Sequence, residues 1–556
     1  MDFVKTAFTD AVQRVFSLDV PVDITRPDEQ FGDFSTNVAM QLAKQQAKNP
    51  REIADQLVQY FESEKPDWLQ AVSIAGPGFI NVTISDAMLT SLAAATVPQT
   101  ASGQTYVVEY SCPNAFKELH AGHLYQTIAG DVIARLLEQS GAQVFRTNFG
   151  GDVGLHVAKA MWGILHELGG ALPDTLAAIQ TEARAGFLSK AYVQGAAAYE
   201  SDAEAHQLID TYNQAIYTLH ADNDTTSDFA RVYWTCRQWS YDYFDNFYAF
   251  IDVSPFRYYP ESTTAGPGLA LVNDGLERGI FERSDGAVVY RGEKVGLHTR
   301  VFVTQAGLPT YETKDLGVIS LEYQDYQFNH RILITGRDQT EYMKVVFAAA
   351  SELLPAISDD LVHLTNGIIK FADGTKMSSR LGNVTSAHNV LEIVTENIES
   401  DDPVTKHALL LGAVKYTFLR QRLGGDISFD PVTSVSVHGN SGPYLQYALV
   451  RARSILAKAG ESQPLDAVMV YEPSERQVVR MCTQFQDVVS AATTELAPHL
   501  LCTYLYDLAS AFNVFYEHNR VLDDPRSTIR LAIVARYAAI LDKGLELLGI
   551  ERPERM

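Results

Sequence analysis

The chain has 556 residues, of which 46% are hydrophobic and 20% charged, and its formal net charge at pH 7 is −24. This length is too great for one hydrophobic core, so we expect three or four domains. No apolar run is long enough to span a membrane and no signal-peptide core follows the first methionine, so we expect a cytoplasmic protein with no membrane partner.

Residues 1–98 are predicted to form a small mixed module. Helical periodicity runs through DFVKTAFTDAVQRVF and STNVAMQLAKQQAK, whereas VSIAGPGFINVTIS alternates like two strands separated by Pro77 and Gly78. The polar stretch TVPQTASGQT that follows is typical of a linker.

Residues 99–400 are predicted to form a doubly wound α/β domain. The strand TYVVEYS, the loop CPNAFKELH, a helix from about Ala121 to Ser140 and the strand AQVFRTN make a β-α-β unit. RVFVT and RILITG are short apolar runs that we expect to be further buried strands of the same sheet. The helical, acidic and aromatic-rich stretch from about 171 to 285 is interpreted as an insertion.

Residues 401–556 have helical periodicity, for example in PYLQYALVRARSILAKA and STIRLAIVARYAAILDKGLELLG, and are predicted to form an all-α domain. Basic side chains could give this domain a surface for a polyanion despite the acidic total, although charge alone favours a solvated helical face. These residues are Arg420, Arg422, Arg451, Arg453, Lys458, Arg520, Arg526, Arg530 and Arg536.

The first motif with chemical meaning is His120-Ala121-Gly122-His123, between the first strand and the long helix. A helix N-terminus presents unpaired N–H groups and the positive end of a dipole, which suits phosphate. The histidines can donate hydrogen bonds to a triphosphate, and Gly122 leaves room for a base or ribose. Taken alone, such a motif is more often a helix cap or part of the core.

The second motif is Lys376-Met377-Ser378-Ser379-Arg380, within the glycine-containing segment FADGTKMSSRLGN. Such a loop can hold a polyphosphate during displacement, although a solvated basic turn is the simpler alternative. Neither GxxxxGK[ST] nor GxGxxG occurs, so a P-loop NTPase and a dinucleotide-dependent oxidoreductase are both disfavoured.

Together, the two motifs resemble the paired signatures of class I aminoacyl-tRNA synthetases. VVEYSCPNAFKELHAGHL is similar to the arginyl-tRNA synthetases in particular, and the similarity continues through GDFSTNVAMQLAK, AGPGFINVTIS, YETKDLG, NSGPYLQYALVRARSIL and LLGIERPERM. The resemblance implies a Rossmann-type catalytic domain, an N-terminal α+β module that touches the tRNA elbow, and a helical anticodon-binding domain. It also implies that ATP activates arginine to arginyl-adenylate, and that arginine then passes to the 2′-hydroxyl of the terminal adenosine of tRNA(Arg).

The resemblance assigns substrate contacts to particular residues. Those expected to contact ATP are His120, Gly122, His123, Lys376, Met377 and Ser378. Those expected to hold arginine are Glu109, Asn114, Tyr311, Asp315 and Gln339, with Glu261 as a weaker candidate. Carboxylates and carbonyl-type oxygens suit a planar cation with five donors, and residues four apart, such as Tyr311 and Asp315, share one helix face. Surface or capping roles explain each of these residues taken singly.

The sequence departs from the family pattern at two informative positions. Ser379 stands where the second lysine of the loop is usual, and family members without that lysine tend to carry one just upstream of the histidine motif. Lys117 stands there, so we predict that it supplies the missing cation and acts in catalysis with His120, His123 and Lys376. Tyr342 stands where a histidine is common.

Contacts to tRNA are predicted in both outer domains, where aromatic and amide side chains can stack on and read unpaired bases. The residues are Phe79, Asn81, Tyr444, Gln446, Tyr447 and Arg451. Phe79 could equally be a core residue of its strand, and at least one of the two tyrosines is expected to pack inward. A monomer is expected by resemblance.

No protein metal site is predicted. The four cysteines are scattered and form no CxxC pair, which also argues against disulfides and fits a reducing compartment. Mg²⁺ is expected to accompany ATP and to be held mainly by its phosphates, because the sequence has no dedicated carboxylate cage.

Other interpretations have distinguishing features that this chain lacks. Cysteine and methionine enzymes of the class commonly carry cysteine clusters, the isoleucine, valine and leucine enzymes carry a large editing insertion, and the glutamate and glutamine enzymes lack the N-terminal module. A non-catalytic paralogue would have no reason to keep both motifs together with Tyr311 and Asp315.

Overall fold

A computed structural model describes residues 2–357, 360–371, 386–460, 464–466 and 469–556. The predicted phosphate loop with Lys376, Met377 and Ser378 lies outside these residues. Within them, no helix combines the length and the low polarity needed to cross a membrane.

The N-terminal module packs helices against a three-stranded antiparallel sheet. Its elements are α1 (Asp2–Phe16), a 3₁₀ helix (Glu29–Phe31), β1 (Phe34–Thr36), α2 (Val38–Gln46), α3 (Pro50–Glu64), β2 (Leu69–Ala75), β3 (Phe79–Ile84) and α4 (Asp86–Ala94). The sheet order is β1-β3-β2. Gly76 and Gly78 turn the chain between β2 and β3 with φ of 54° and 141°, which glycine adopts without a Cβ clash. The predicted α+β character of this module is confirmed.

The middle of the chain is an α/β domain with a small second sheet and a helical excursion, which is the segment 151–256 between two neighbouring strands of the main sheet. Its helices and strands are β4 (Thr105–Glu109), α5 (Ala121–Gln139), β5 (Gln143–Gly150), α6 (Leu155–Leu168), α7 (Arg184–Ser201), α8 (Ala203–Ala221), α9 (Asp228–Phe250), β6 (Arg257–Pro260), α10 (Glu261–Glu277), β7 (Phe281–Ser284), β8 (Ala287–Tyr290), β9 (Arg300–Val303), α11 (Tyr311–Tyr326), β10 (His330–Gly336), α12 (Thr340–Leu353), β11 (Leu361–Asn366) and β12 (Ile369–Phe371). Short 3₁₀ helices occur at Pro173–Ala178, Thr181–Ala183, Gly292–Val295, Arg337–Gln339 and Pro355–Ile357.

The central sheet is parallel and has the strand order β11-β10-β4-β5-β6. Successive strand residues point to opposite faces, so Val107 and Leu333 join the core beneath α11 and α12, whereas Val108 and Ile332 join the core around α5. The predicted β-α-β unit and the parallel Rossmann-type sheet are confirmed. Both faces are covered, which explains the apolar character of the strands.

The structure corrects two expectations about this domain. The predicted insertion, 171–285, contains β6, yet β6 pairs with β5 as a strand of the central sheet, with Thr147 opposite Arg257. The helical excursion therefore ends before β6. RVFVT forms β9 of the separate antiparallel sheet β7-β8-β9. The expectation was wrong because an apolar run predicts a strand but does not specify which strands it will pair with.

The C-terminal part is helical, as predicted. Its elements are α13 (Ala387–Thr395), α14 (Pro403–Leu419), β13 (Ile427–Phe429), α15 (Pro431–Ser434), α16 (Gly442–Ala459), α17 (Pro473–Cys482), α18 (Phe485–Thr494), α19 (Pro498–His518) and α20 (Ser527–Leu547). Asp402 and Ser441 begin α14 and α16 by accepting backbone N–H groups of the first turn, and a proline early in each helix forfeits no intrahelical hydrogen bond. Helix α5 lies between the sheet and this domain, with Tyr125 edge-on to Phe418.

Ion pairs join the N-terminal module to the C-terminal helices. Arg476 of α17 contacts Asp33 at 2.7 Å and Asp86 at 3.3 Å, and Arg26 contacts Asp487 at 2.8 Å. These contacts hold the two outer domains against each other.

Candidate active site

A cleft of about 620 Å³ opens at the carboxyl ends of the central strands, the usual position for a ligand in an open α/β sheet. Glu109 ends β4, Gly336 ends β10 and Asn366 ends β11, and all three line the cleft. The cleft brings together nine of the predicted residues: Glu109, Asn114, His120, Gly122, His123, Tyr311, Asp315, Gln339 and the weaker candidate Glu261.

His120 and His123 cap the start of α5 reciprocally. Nδ1 of His120 accepts the backbone N–H of His123 at 3.1 Å, and Nδ1 of His123 accepts the backbone N–H of His120 at 3.2 Å. The rings stack with centroids 3.5 Å apart. A Cβ at Gly122 would lie 2.9 Å from Cε1 of His120, so glycine makes room for the stacked pair.

The hydrogen bonds of this pair determine what it can donate. Because each Nδ1 accepts a hydrogen bond, each neutral ring carries its proton on Nε2. Burial lowers the pKa of His120 and of His123, and the nearby ammonium of Lys117 lowers both further. Two neutral rings thus provide Nε2–H donors at a helix N-terminus, an arrangement that suits phosphate oxygens.

Carboxylates occupy the region of the cleft near α11. Tyr311 and Asp315 lie one turn apart at its start, and the carboxylate of Asp315 accepts a hydrogen bond from the phenol of Tyr342. Burial raises the pKa of Asp315 to about 7; the Tyr342 hydrogen bond and the charge of Arg331 oppose the rise, and neighbouring Glu312 and Glu261 add to it. A cation with several donors would favour the ionised form of this carboxyl group.

Two of these acidic neighbours already have cationic partners. Glu261 contacts the ammonium of Lys314 at 2.5 Å, and Glu312 contacts the guanidinium of Arg300 at 3.0 Å. Asp315 is bound by a phenol instead. It is therefore the carboxylate of this group best placed to receive an incoming cation.

Glu109 rests on a buried guanidinium. Arg331, which is 1% exposed, pairs with Glu109 and also with Glu322 at 2.6 Å, and Glu322 accepts a hydrogen bond from Thr147 at 2.5 Å. Burial raises the pKa of Glu109, and Arg331 opposes that rise. Arg331 is not among the residues predicted from the sequence. The available signal was an arginine inside the apolar run RILITG, since a buried charge requires partners.

The loop from Glu109 to His120 is strained. Ser111, Cys112 and Phe116 have φ of 71°, 46° and 64°, values that residues with a Cβ seldom adopt. Such conformations persist where surrounding structure enforces them, and they are common at functional sites. The loop carries Asn114 to the cleft.

Asn114 and Gln339 are both exposed at the cleft. A Cβ at Gly151 would lie 2.3 Å from Oδ1 of Asn114, so the glycine accommodates this amide. Gln339 ends the short helix after β10 and donates to Asp338 at 2.9 Å. Both amides are therefore accessible to a small ligand.

Lys117 is not part of the cleft lining. Its ammonium lies 3.7 Å from the centre of the Tyr192 ring on α7. Its charge nevertheless affects the pKa of both His120 and His123, so it lies near the histidine pair.

The predicted tRNA contacts divide by exposure. Phe79 and Tyr447 are 40% and 41% exposed, which leaves each ring free to stack on a base. Gln446 is 0% exposed and donates to the carbonyls of Ala408 and Glu551, each at 2.8 Å, so its predicted tRNA contact is corrected to a structural role. Asn81 is 5% exposed within β3, so little of its surface is accessible, and its contact with a base stays a prediction.

Tyr444 and Arg451 are half-buried on α16. The Tyr444 hydroxyl accepts a hydrogen bond from Asn513 at 2.7 Å, and the Arg451 guanidinium lies 4.4 Å from the centre of the Tyr516 ring. Both are partly engaged within the domain and partly accessible.

Part of the predicted basic surface of the C-terminal domain is paired internally. Arg453 pairs with Asp542, and Arg526 and Arg530 both pair with Glu475. These pairs leave the three arginines less available to phosphate, and Arg530, which is 6% exposed, does not belong to a solvated helical face either.

Among the described residues, no group of three or more His, Cys, Asp or Glu side chains is arranged to hold a metal ion. Cys112, Cys236, Cys482 and Cys502 carry free thiols.

Three protein-family models match successive parts of this chain. The family model described as tRNA synthetases class I (R), catalytic domain, matches residues 84–402. Models described as arginyl tRNA synthetase N terminal domain and DALR anticodon binding domain match residues 2–84 and 445–556. The fold and its cleft are therefore those of a class I tRNA synthetase. The chain belongs to the arginyl-tRNA synthetase family, which confirms the resemblance found in its motifs.

Individual relatives agree along the whole chain. An arginine–tRNA ligase of Thermobifida fusca is 31% identical over 96% of this chain and 95% of its own length. Another, of Phocaeicola vulgatus, is 28% identical over 99% of each. The solved arginyl-tRNA synthetase of Thermus thermophilus shares the fold with a TM-score of 0.81, at 24% identity and with full coverage of both chains.

Proposed function

We propose that this protein is an arginine–tRNA ligase, which activates arginine with ATP and transfers it to tRNA(Arg). One observation carries the proposal: a single cleft joins two neutral histidine donors at a helix N-terminus to the half-buried carboxyl group of Asp315, which is hydrogen-bonded by the phenol of Tyr342 and, among the described residues, forms no ion pair. The first feature suits a triphosphate and the second suits a guanidinium.

The arginine side chain is placed by residues of α11 and the turn after β10. Asp315 receives the guanidinium, Tyr311 lies on the same helix face, and Gln339 supplies an amide oxygen. Glu109 and Asn114 hold the α-amino end. This orientation directs the substrate carboxylate towards the nucleotide at His120 and His123.

Activation is an in-line displacement. The arginine carboxylate attacks the α-phosphorus of MgATP, the bond to the bridging oxygen breaks, and pyrophosphate leaves with that electron pair. The 2′-hydroxyl of the terminal adenosine of tRNA then attacks the adenylate carbonyl, AMP leaves, and the hydroxyl proton is released. The protein contributes mainly positioning and charge stabilisation.

Residues around the nucleotide divide these tasks. The Nε2–H groups of His120 and His123 bind phosphate oxygens, and Gly122 leaves room for the nucleotide. Lys376 binds the leaving pyrophosphate, and Met377 and Ser378 contact ATP; these three residues lie outside the part of the chain that the structure describes. Mg²⁺ would accompany ATP and be held largely by its phosphates, where it would offset their negative charge.

Binding of tRNA uses the two outer domains. Phe79 faces the elbow, and Tyr444, Tyr447 and Arg451 face the anticodon. We also propose that the domains comprise residues 1–98, 99–400 and 401–556, and that the protein is a cytoplasmic monomer.

The test is pyrophosphate exchange into ATP with arginine, lysine or citrulline, each with and without tRNA(Arg). Citrulline is the control, since it has nearly the shape of arginine but no charge. We expect exchange with arginine alone among the three and, by resemblance to the family, only when tRNA is present. Failure with arginine under both conditions, or equal exchange with citrulline, would contradict the proposal.

Lys117 is proposed to replace the lysine absent at Ser379. A charge that acts mainly in the transition state should affect kcat more than arginine affinity, so Lys117→Ala should lower exchange kcat at least about tenfold with little change in KM for arginine. Lys159→Ala is the matched control, because Lys159 also rests on a tyrosine of α7, with Nζ 4.1 Å from the centre of the Tyr199 ring. A wild-type exchange rate in Lys117→Ala would refute this role.

A further inference from the structure

Helix α7 of the helical excursion holds the loop before His120 at two points. The ammonium of Lys117 lies 3.7 Å from the centre of the Tyr192 ring. The hydroxyl oxygen of Ser189 accepts the backbone N–H of Glu118 at 2.8 Å. Ser189 and Tyr192 are three residues apart and so lie on one face of the helix. That face fixes two consecutive residues just before the histidine cap.

Lys117 needs such a support if its charge is to act at a fixed place. A lysine side chain has four rotatable bonds and many rotamers of similar energy, and confining it costs entropy. The negative face of an aromatic ring attracts an ammonium group and narrows that distribution before substrate binds. Tyr192 is itself half-buried against the core of the excursion, so its ring is a stable support.

We infer that Tyr192 is a positioning residue for catalysis, whose ring face holds the Lys117 ammonium beside the nucleotide site, with Ser189 fixing the adjoining backbone. This inference rests on the proposed catalytic role of Lys117. It gives helix α7, some seventy residues from the histidine motif in sequence, a direct part in the activation step.

The surroundings of the loop support this function. Phe116, immediately before Lys117, has φ of 64°, so contacts outside the loop must stabilise its conformation. Phe116 donates its backbone N–H to Ser240 of α9 at 2.9 Å, and Glu118 donates to Ser189 of α7. Lys117 is thus held on both sides along the chain by helices of the excursion.

The contact can be tested by changing only the ring. Tyr192→Leu keeps an apolar side chain but removes the aromatic face, and it should lower exchange kcat about fivefold, the effect of a cation–π contact of about 1 kcal/mol, with KM for arginine unchanged. Tyr192→Phe keeps the face and should restore most of the rate. In the Lys117→Ala background, Tyr192→Leu should have no further effect, because the group through which it acts is gone.

Tyr199→Leu is the matched control on the same helix. It removes the equivalent contact with Lys159, and it should leave kcat unchanged even if thermal unfolding shows a comparable loss of stability. If Tyr199→Leu lowers kcat as much as Tyr192→Leu, the effect is one of helix stability and the inference is wrong.

Other outcomes separate the inference from the role of Lys117. A slow Lys117→Ala enzyme with a wild-type Tyr192→Leu rate would overturn the positioning role alone. A wild-type Lys117→Ala rate would overturn both. Equal damage from Tyr192→Phe and Tyr192→Leu, or effects that multiply in the double variant, would also exclude action through Lys117.

Discussion

Replacing Asp315 with asparagine tests how the cleft selects its amino acid. Asparagine keeps the shape and can still accept the hydrogen bond from Tyr342, so the main change is the loss of a negative charge. Removing one partner of a desolvated, hydrogen-bonded charge pair costs about 2–4 kcal/mol. At 25 °C this predicts a fall in kcat/KM for arginine of roughly 30- to 1000-fold, with KM for ATP nearly unchanged.

The same carboxyl group predicts a pH dependence. Burial raises the pKa of Asp315 to about 7 in the free protein, and a bound guanidinium favours ionisation. If the ionised form is required, arginine affinity should rise about tenfold between pH 6 and pH 8. The sign for stability is opposite: a carboxyl group with a raised folded-state pKa favours folding at low pH and loses that contribution as pH rises through about 7.

Isothermal titration with arginine at pH 6, 7 and 8, with tRNA present in every sample, measures both effects. The wild-type protein should bind more tightly as pH rises, and Asp315→Asn should bind weakly with a much flatter profile. Equal affinities of the two proteins at pH 8, or a wild-type profile that falls with pH, would refute the assignment of Asp315 to the guanidinium.

Two further predictions concern residues whose burial decides their role. Arg331→Met leaves the carboxyl groups of Glu109 and Glu322 buried without their cation. The free energy of unfolding in urea should fall by about 3–5 kcal/mol at pH 8 and by less at pH 5, where protonation relieves the repulsion between the two carboxylates. A loss of stability that does not depend on pH would contradict this prediction. Tyr447→Ala should weaken tRNA binding by about 1–3 kcal/mol with little effect on the free energy of unfolding, because its ring is exposed. Gln446→Ala should instead lower the free energy of unfolding by about 1–2 kcal/mol, because it removes two hydrogen bonds to buried carbonyls. Weaker tRNA binding in Gln446→Ala with unchanged stability would restore Gln446 as an RNA contact.

Local sequence signals were sufficient for the part of the site around α5. The apolar strand β4, the histidines at the start of a long helix and the next strand lie within about 50 residues, and each has a recognisable pattern. The spacing of Tyr311 and Asp315 likewise requires only that a helix begin there. Resemblance to the family then assigned these residues to one cleft.

Features that depend on distant packing were not predictable in this way. Arg331 is explained only when β4, β10 and α11 bring Glu109 and Glu322 to it. Gln446 lies next to Tyr447 in sequence, but contacts with Ala408 and Glu551 decide which of the two is buried. Side-chain type alone does not distinguish an amide that reads RNA from one that satisfies buried carbonyls.

Strand pairing caused the remaining errors. β6 is four residues long and ends in proline, so nothing local distinguished it from the surrounding helical excursion, and its place beside β5 is set by tertiary packing. The apolar run of β9 was recognised as a strand but assigned to the wrong sheet.

The most direct test of the proposed function is the transfer of radiolabelled arginine to a transcript of tRNA(Arg), compared with a transcript for another amino acid, in the presence of MgATP. We predict acid-precipitable label on tRNA(Arg) only, with the rate greatly reduced in Asp315→Asn. Folded wild-type protein that attaches no arginine to tRNA(Arg), or attaches another amino acid in preference, would contradict the account.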